Sequence, residues 1–345
     1  MKNIKIAIHE RKGSYSDRWI EFCKKNDIEY VLISCFHDNV IAKLKMVDGL
    51  LWHWSPLDAT SSIVAKSIIS CVEGMGLAVF PNIKTCWHYD DKIAQKYLFE
   101  SINAPSVPTY VFFNEAEAMT WINQAIFPKV FKLRCGAGSQ NVRLVKSRRN
   151  AITLCKKAFG QGFNATAGYR DFFHEGIQKS KTFNKFIEKT TRLPKTLLSL
   201  HRRRISLPLE RNYIYFQDYF SNNQFDTRIT VIGDRAFGFI RYVRPNDFRA
   251  SGSGNISYDI KLIDPRCLQV AFETTKKIGA QSLAFDFIFD DNHYPRITEI
   301  SYCYRADAIY NCPGYWDREF SWRQGHFWPE EIIIQDLLFK IKGLY

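Results

Sequence analysis

Several common features are missing from this sequence, and each absence narrows its class. Its nine cysteines include no CxxC pair, so neither a zinc-binding nor a disulfide-rich scaffold is indicated. The start, MKNIKIAIHE, lacks the long apolar core of a secretory signal peptide. No uncharged apolar stretch approaches the ~18 to 20 residues that a membrane span requires. These absences predict a globular protein of the reducing cytoplasm.

Two familiar phosphate-binding motifs are also missing from the first strand and its loop. The KGS segment is too short for a P-loop, and no GxGxxG follows the first strand. No recognised nucleic-acid motif accompanies the excess of basic residues. Nucleic acid is therefore a disfavoured partner, and the excess of positive charge has to be explained in another way.

The chain is long and rich in apolar residues, and its first part alternates strand and helix patterns. With 345 residues, 46% of them hydrophobic and 15% aromatic, two or three subdomains are expected. The βαβ rhythm of residues 1–83 predicts an α/β domain with a small parallel sheet. Ligands of such sheets bind beyond the strand carboxyl ends. Substrate contacts or ordinary loop residues are thus equally expected at Gly13, Ser14, Tyr15, His53, Trp54 and Ser55.

The net charge of +13 is concentrated in one segment. Residues 179–211 contain ten Lys or Arg and two Glu, a net +8. A solvated insertion or lid is one interpretation of this basic insertion. The other is a contact with an anionic partner, such as phosphate, an acidic glycan or the inner surface of a membrane.

A glycine loop is the first chemical motif. After a predicted helix over 85–102, the segment FPKVFKLRCGAGSQNVRLVKS predicts a strand, a glycine loop and a second strand. Gly136 and Gly138 would let backbone N–H groups turn around an anion. Lys132, on the first strand, could add a point charge for a phosphate. By itself such a hairpin is more often a simple turn.

A pair of acids is the second chemical motif. Asp286 and Glu299 lie on the strands SLAFDFIFDD and YPRITEIS, which a short turn separates. Alternation places Asp286 among apolar neighbours. Two buried carboxylates on adjacent strands repel each other unless cations lie between them. The pair therefore predicts a site for hard cations such as Mg²⁺.

The order of these motifs from Lys84 to Tyr310 resembles the ATP-grasp superfamily, and within it the glutamate-ligase and D-alanyl-D-alanine ligase branches. The resemblance implies an N-terminal parallel-sheet domain followed by a two-lobed α+β ATP-grasp domain. Its pieces are the PxVxK strand with its glycine loop, DxR followed by VIGD, FR before a small-residue loop, and the acid pair. The implied domains are 1–83, 84–216 with the basic insertion 179–211, and 217–345.

The resemblance also implies the site residues and the cofactors, which are ATP and Mg²⁺, with two metal ions expected and Mn²⁺ as an alternative. ATP is expected to contact Lys92, Lys132, Gly136, Ala137, Gly138, Ser139, Gln217, Asp218, Tyr219 and Phe220. The metal ligands are expected to be Asp286, Glu299 and Ser301. Arg228, Arg241 and Arg249 are expected to stabilise the transferred phosphoryl group.

The implied activity is a carboxylate–amine ligase that forms an amide through an acyl phosphate and releases ADP. Its expected partners are a small carboxylate and an amine, with a sugar acid of a surface polysaccharide or an amino acid as candidates. The sequence does not determine whether the protein forms an oligomer. A kinase with the same fold, which would transfer phosphate to a hydroxyl, and a non-catalytic ATP-binding protein are the alternatives. An altered or inactive site is considered because Ser301 replaces the usual Asn ligand and a hydroxyl binds metal more weakly.

The C-terminal segment after Glu299 is rich in aromatic and polar residues. This composition predicts either a surface for a sugar or carboxylate substrate or an aromatic core between lobes. The residues concerned are Tyr302, Tyr304, Arg305, Tyr315, Trp316, Arg318 and Trp322.

Overall fold

A computed structural model describes residues 4–55, 58–136, 141–164, 209–245 and 247–344. Its first sheet is parallel, with the strand order β2-β1-β3-β4, as the βαβ rhythm predicts. The strands and helices of this region are β1 (Lys5–His9), α1 (Tyr15–Lys25), β2 (Glu29–Ile33), α2 (Val40–Leu44), β3 (Gly49–Leu51), α3 (Ala59–Gly74) and β4 (Ala78–Phe80).

The next sheet is antiparallel and carries the glycine loop. Its strand order is β5-β10-β6-β7, and the loop joins β6 to β7. A two-stranded ribbon pairs β8 with β9. The elements are α4 (Ile83–Cys86), α5 (Lys92–Ser101), β5 (Thr109–Phe112), α6 (Glu115–Gln124), β6 (Lys129–Phe131), β7 (Arg143–Val145), α7 (Arg148–Phe159), β8 (Phe163–Asn164), β9 (Leu209–Glu210) and β10 (Ile214–Asp218).

A larger antiparallel sheet contains the predicted acid pair. Its order is β15-β14-β11-β12-β16-β17, and β13 pairs with β12. The elements are β11 (Phe225–Ile232), β12 (Arg235–Tyr242), β13 (Ile256–Ser257), α8 (Pro265–Ile278), β14 (Ser282–Phe289), β15 (Pro295–Ser301), α9 (Ala306–Tyr310), β16 (Gly314–Trp316), β17 (Trp322–Gln324) and α10 (Pro329–Ile341).

The helix predicted over 85–102 is wrong in one respect, because the structure divides it into α4 and α5. Between them the backbone of Asp90 has a φ of 52°, a left-handed conformation that a helix cannot continue through. Asp91 then caps the start of α5, since its Oδ1 atom accepts hydrogen bonds from the N–H groups of Ile93 and Ala94 at 3.1 and 3.0 Å. The break places Lys92 in the first turn of α5.

The chain forms two compact units. The first comprises 1–89, 97–106 and 220–345, and the second comprises 90–96 and 107–219. The change at 219/220 lies close to the predicted boundary at 216/217. The predicted N-terminal domain, however, shares one unit with the large antiparallel sheet.

Helix α10 shows why these two parts form one unit. This helix packs on helix α1 and on strands β3 and β4 of the parallel sheet. Ile333, Ile334 and Leu337 of α10 are buried in the same hydrophobic core as Leu50. The Trp19 Nε1 atom of α1 also donates a hydrogen bond to the Glu330 carbonyl at 3.0 Å. Within the described ranges, no helix is long and apolar enough to cross a membrane.

Candidate functional site

In the second unit, the side chains of two residues predicted to contact the nucleotide form a hydrogen bond with each other. Lys132 follows β6 directly, and its Nζ atom donates to Oε1 of Gln217 on β10 at 2.6 Å. Both side chains are buried, at 8% and 4% exposure. Gln217 in turn donates to the Thr109 hydroxyl at 3.1 Å. A cation and a hydrogen-bonding amide are therefore held in fixed positions on adjacent strands.

Lys92 is tied to the root of the glycine loop. Its Nζ atom donates to the Gly136 carbonyl at 3.0 Å, and the Gly136 N–H group donates to Oδ1 of Asp90 at 2.9 Å. Gly136 has a φ of 123°, which an L side chain rarely adopts. The break between α4 and α5 thus holds the start of the loop. The predicted contacts Ala137, Gly138 and Ser139 lie outside the described residues.

The sequence did not predict an ion-pair network that lies beside this loop. Arg134 contacts Asp91 at 3.0 Å and Glu210 at 3.5 Å, and its backbone N–H group donates to the Tyr213 hydroxyl at 2.8 Å. Burial and the Glu210 carboxylate raise the pKa of Tyr213 well above its ordinary value. No sequence motif marks this network, because its members come from three distant segments.

The remaining predicted contacts of the hinge lie at the end of β10. Asp218 forms an ion pair with Lys129 at 2.5 Å, which aligns the strand end. Tyr219 is the last residue of the second unit, and Phe220 is the first residue of the returning segment of the first unit. Their roles at a nucleotide stay predictions.

In the first unit, four charged residues form an alternating array on one face of the large sheet. Arg228 on β11 lies opposite Asp286 on β14, and Asp226 on β11 lies opposite Arg241 on β12. Arg228 donates to the two carboxylate oxygens of Asp286 at 2.6 and 2.8 Å. Arg241 contacts Asp226 at 2.6 Å and Asp286 at 2.8 Å. The array therefore contains continuous contacts from Asp226 to Arg228.

This array alters the acidity of its carboxyl groups. Burial would by itself raise the pKa of Asp286, but Arg228 and Arg241 outweigh it and hold the pKa well below its usual range. For Asp226, burial and the charge of Asp286 outweigh Arg241 and raise the pKa. The sequence predicted Mg²⁺ as the cation beside the buried Asp286. In the structure Arg228 and Arg241 contact its carboxylate, and its role at a metal stays a prediction.

Glu299 lies directly across from Asp286, on β15, as the acid-pair prediction requires. The register shifts between Asp286 and Phe287, a bulge of the kind that re-aims side chains. Across the described ranges, no group of three or more His, Cys, Asp or Glu side chains could hold a metal ion on its own. A metal bound here would have to take its other ligands from water or a substrate.

Ser301, the third predicted metal ligand, makes local hydrogen bonds. Its hydroxyl donates to the Cys303 carbonyl at 2.9 Å and accepts from the Cys303 N–H group at 3.2 Å. These bonds fix the turn that follows β15. The predicted role of Ser301 at a metal stays a prediction, with one lone pair of its oxygen left for a ligand.

The third predicted arginine, Arg249, pairs with a nearby acid. Its Nε and Nη2 atoms contact Asp247 Oδ2 at 2.9 and 2.7 Å. Although burial acts in the opposite direction, hydrogen bonds from Arg249 lower the pKa of Asp247. The sequence reasoning named the arginines but missed Asp226 and Asp247 as their partners. The DxR spacing could have revealed Asp226, because alternation places it on the same strand face as Arg228.

Two residues of the aromatic C-terminal segment belong to the core. Tyr302 is 0% exposed and donates to the Trp54 carbonyl at 2.9 Å. Tyr304 is 7% exposed, and its hydroxyl shares a hydrogen bond of 2.6 Å with Ser282. Of the two interpretations of this segment, the structure supports a core role for these tyrosines rather than a substrate surface.

Comparisons with known proteins give solved structures only. No family model and no curated protein matches the sequence. A D-alanine–D-alanine ligase from Bacillus anthracis is similar with a TM-score of 0.58, 12% identity and coverage of 99% of this chain and 100% of that chain. A RimK domain ATP-grasp protein from Sphaerobacter thermophilus has a TM-score of 0.56 and 14% identity, over 97% of this chain and 99% of that chain.

A third similar structure is the biotin carboxylase domain of the Hydrogenobacter thermophilus 2-oxoglutarate carboxylase. Its TM-score is 0.57 at 13% identity, with coverage of 95% of this chain and 68% of that chain. The structural similarity indicates a shared fold. At identities this low it indicates nothing more, so the activity has to be argued from the site itself.

Proposed function

The chain has the ATP-grasp fold, as the sequence predicted, and from that premise we propose that it is an ATP-dependent carboxylate–amine ligase. In the proposed reaction, a carboxylate is phosphorylated to an acyl phosphate, ADP leaves, and an amine attacks the acyl carbon to form an amide. Solved structures with this fold include a D-alanine–D-alanine ligase with ATP and a carboxylase domain with MgADP. These neighbours support the nucleotide and the metal as cofactors.

The array of Arg228, Asp286, Arg241 and Asp226 is the observation that carries the proposal. Phosphoryl transfer from ATP to a carboxylate brings two anions together, so fixed cations have to stabilise the developing charge. The carboxylates of Asp226 and Asp286 hold the two guanidinium planes in defined orientations. A preorganised guanidinium group needs little rearrangement when the charge develops.

Several residues of the second unit are suited to binding a nucleoside triphosphate. Lys92 and Lys132 are buried lysines, and Lys92 contacts the carbonyl of Gly136 at the start of the glycine loop. We propose that the two lysines bind the ATP phosphates. Gln217 orients Lys132, and Asp218 terminates the strand that would contact the adenosine.

The carboxylates of the first unit partly fit Mg²⁺. Glu299 and Asp286 are cross-strand neighbours with hard oxygen donors. Mg²⁺ would neutralise charge on the phosphates. We propose Glu299 and Asp286 as ligands of this Mg²⁺, with Asp286 also accepting hydrogen bonds from the two arginines.

The identity of the acid is proposed from composition alone. A polar acid, such as a sugar acid of a surface polysaccharide, is proposed as the substrate, with an amino acid as the rival. Most of the basic insertion 179–211 lies outside the described residues, so its contact with a glycan or a membrane surface stays a prediction.

The test is a reaction of the purified protein with MgATP and a panel of acids and amines. A ligase requires both an acid and an amine for ADP release, and mass spectrometry detects a product equal to their condensation. ADP release with a hydroxyl compound and no amine would instead indicate a kinase. We expect Glu299→Gln to reduce turnover by roughly 10²- to 10³-fold. The exposed Glu319→Gln is the matched control and should leave turnover unchanged.

A non-catalytic ATP-binding protein is the second candidate, and two observations favour it. Arginines contact both oxygens of Asp286, and the hydroxyl of Ser301 hydrogen-bonds within a local turn. For such a protein, calorimetry would show ATP binding without ADP production for any acid and amine in the panel. Glu299→Gln would then change only the affinity for the magnesium nucleotide.

A further inference from the structure

The parallel sheet of the first unit has its topological switch point between strands β1 and β3. The chain leaves β1 through α1 toward β2 and leaves β3 through α3 toward β4, so the two connections run to opposite sides of the sheet. In open α/β sheets such a point forms a crevice beyond the carboxyl ends of the strands, and ligands bind there. Arg11 follows β1 by two residues, and His53 follows β3 by two. Both residues therefore lie at the switch point.

Arg11 is held at the switch point by its backbone and by its side chain. Its backbone N–H group donates to the Ser16 hydroxyl at 3.0 Å, and that hydroxyl donates to the Arg11 carbonyl at 3.0 Å. Its Nη2 atom donates to the His53 carbonyl at 3.1 Å. The His53 ring stacks on the buried Tyr15 with a centroid distance of 3.9 Å. Arg11 thus joins the loop after β1 to the segment after β3.

The positive charge of Arg11 is not paired by any carboxylate in the described part of the chain. Arg11 forms no ion pair there, and its Nε atom is buried without a hydrogen-bond partner. A guanidinium group that is withdrawn from water without a counter-charge costs free energy. The residue nevertheless stays partly exposed, so a solute can reach the group. An unpaired, accessible guanidinium of this kind points to an anionic ligand.

His9, the last residue of β1, provides a neutral hydrogen-bond donor near this charge. It is 6% exposed, and its Nδ1 atom accepts a hydrogen bond from the Cys35 N–H group at 2.9 Å. Burial and the charge of Arg11 outweigh Asp58 and lower the pKa of His9 to about 4, so the ring is neutral at pH 7. A neutral ring that accepts at Nδ1 carries its proton on Nε2. Within the described ranges Nε2 makes no hydrogen bond, and its proton is available to a ligand.

The switch point is connected to the strand that carries Glu299. The Cys303 Sγ atom lies 3.0 Å from Nε2 of His53, and Cys303 lies four positions after Glu299 in the chain. All of these residues belong to the first unit. A molecule held at Arg11 therefore lies near the end of the strand whose carboxylate is a proposed metal ligand.

We propose that Arg11 and His9 bind a second, non-reacting carboxylate of the acid substrate, which is therefore a dicarboxylic acid. The role of this site in substrate binding rests on the proposed ligase function, in which Arg228 and Arg241 stabilise the carboxylate that is phosphorylated. One guanidinium group and a neutral imidazole balance a single negative charge, which suits a carboxylate better than a phosphate dianion. Arg11 binds and orients the substrate, and no bond of Arg11 changes in the reaction.

The first experiment measures binding without turnover. The intact protein, with magnesium and a non-hydrolysable ATP analogue present, is titrated in a calorimeter with straight-chain dicarboxylates from succinate to suberate. Each is compared with its monoamide, which has the same length and one carboxylate fewer. We expect at least one dicarboxylate to bind about 10- to 100-fold more tightly than its monoamide.

Variants of Arg11 assign this preference to its charge. Arg11→Gln should remove the preference, because an amide side chain has no charge, and Arg11→Lys should retain part of it. Lys12→Gln, at an exposed neighbour, is the control and should bind as the unmodified protein does. Thermal unfolding checks that each variant is folded. Should Arg11→Gln fail to fold, Arg11→Lys still has to show a smaller preference than the unmodified protein.

The outcomes separate this site from the ligase activity. A preference that depends on Arg11, without ADP release for any acid and amine, would support the anion site and refute the ligase. With turnover, Arg11→Gln should raise KM for the dicarboxylate about tenfold and leave kcat nearly unchanged. Equal KM values for dicarboxylates and monoamides would leave the ligase standing and refute the site. Equal affinities for the two, no binding of either at millimolar concentration, or tighter Arg11-dependent binding of inorganic phosphate would also overturn the proposal.

Discussion

Single residues carry large electrostatic consequences in this protein, and Glu330 is one that the sequence did not single out. It lies in the first turn of α10, where it is 5% exposed. Its Oε2 atom makes no hydrogen bond within the described residues. Burial raises the pKa of Glu330 to about 7, although Arg18 lies 3.9 Å away.

The raised pKa predicts a pH-dependent stability. The folded protein retains the proton of Glu330 between about pH 4.5 and 7, where the unfolded chain releases it. The free energy of unfolding should therefore fall as the pH rises through this window. Glu330→Gln should raise the free energy of unfolding by about 1 to 3 kcal/mol at pH 8 and by little at pH 4.5. Urea unfolding at both pH values measures this. Glu331→Gln, at a half-exposed neighbour, should show no such difference.

Asp286 provides a second prediction at this scale. Asp286→Asn removes the charge that compensates Arg228 and Arg241, so the free energy of unfolding should fall by about 3 to 5 kcal/mol. Asp234→Asn, which disrupts an exposed pair with Arg318, should cost less than about 1 kcal/mol. Thermal and chemical unfolding of both variants measure the contrast. Equal losses would contradict the role of the buried array.

At the scale of elements, the alternation of apolar and polar residues predicted where the strands lie better than it predicted which strands pair. The pattern in SLAFDFIFDD and YPRITEIS correctly indicated two paired strands, β14 and β15, with Asp286 and Glu299 facing each other. Period-2 side-chain placement is a local property, so sequence suffices for it. The position of β11 beside β14 depends on pairs of residues 50 to 60 positions apart in the chain, and no local pattern encodes it.

The hairpin of β16 and β17 yields a prediction about packing between elements. A Cβ atom on Gly314 would lie 2.3 Å from the Arg323 carbonyl and 2.5 Å from Cζ2 of Trp322. Gly314→Ala should therefore lower the free energy of unfolding by about 1 to 3 kcal/mol, because the backbone has to move. Gly74→Ala is the control. A Cβ atom there contacts nothing within 4 Å, so helix α3 should be unchanged or stabilised by up to about 1 kcal/mol. Thermal unfolding measures both.

At the scale of the whole molecule, α10 determines what can fold as a unit. The segment 1–83 was predicted to be a domain, and its strands and helices are as expected. Leu337 and Ile341 of α10 nevertheless contact the position where Gly49 would carry a Cβ atom, at 3.5 and 3.0 Å. The parallel sheet thus depends on residues near the opposite end of the sequence.

This dependence predicts the behaviour of fragments. Residues 1–83 expressed alone should lack a cooperative thermal transition and the dispersed amide resonances of a folded domain, because the core surface beneath α10 becomes exposed. In the full chain, Ile334→Ala should cost about 2 to 5 kcal/mol, since Ile334 is fully buried. The exposed Ile63→Ala is the matched control, with an expected cost below about 1 kcal/mol. A folded 1–83 fragment would show that α10 is dispensable.

The sequence by itself determined the kinds of element, the order of the motifs and the residues that form the acid pair, because hydrophobic periodicity and turn chemistry act over a few residues. Only the tertiary structure decided what those charges contact. Arginines from two neighbouring strands compensate Asp286, Ser301 forms a turn, and Cys303 meets His53 across 250 positions. Such contacts depend on which segments pack together. That choice results from the burial of the whole core, which no local pattern contains.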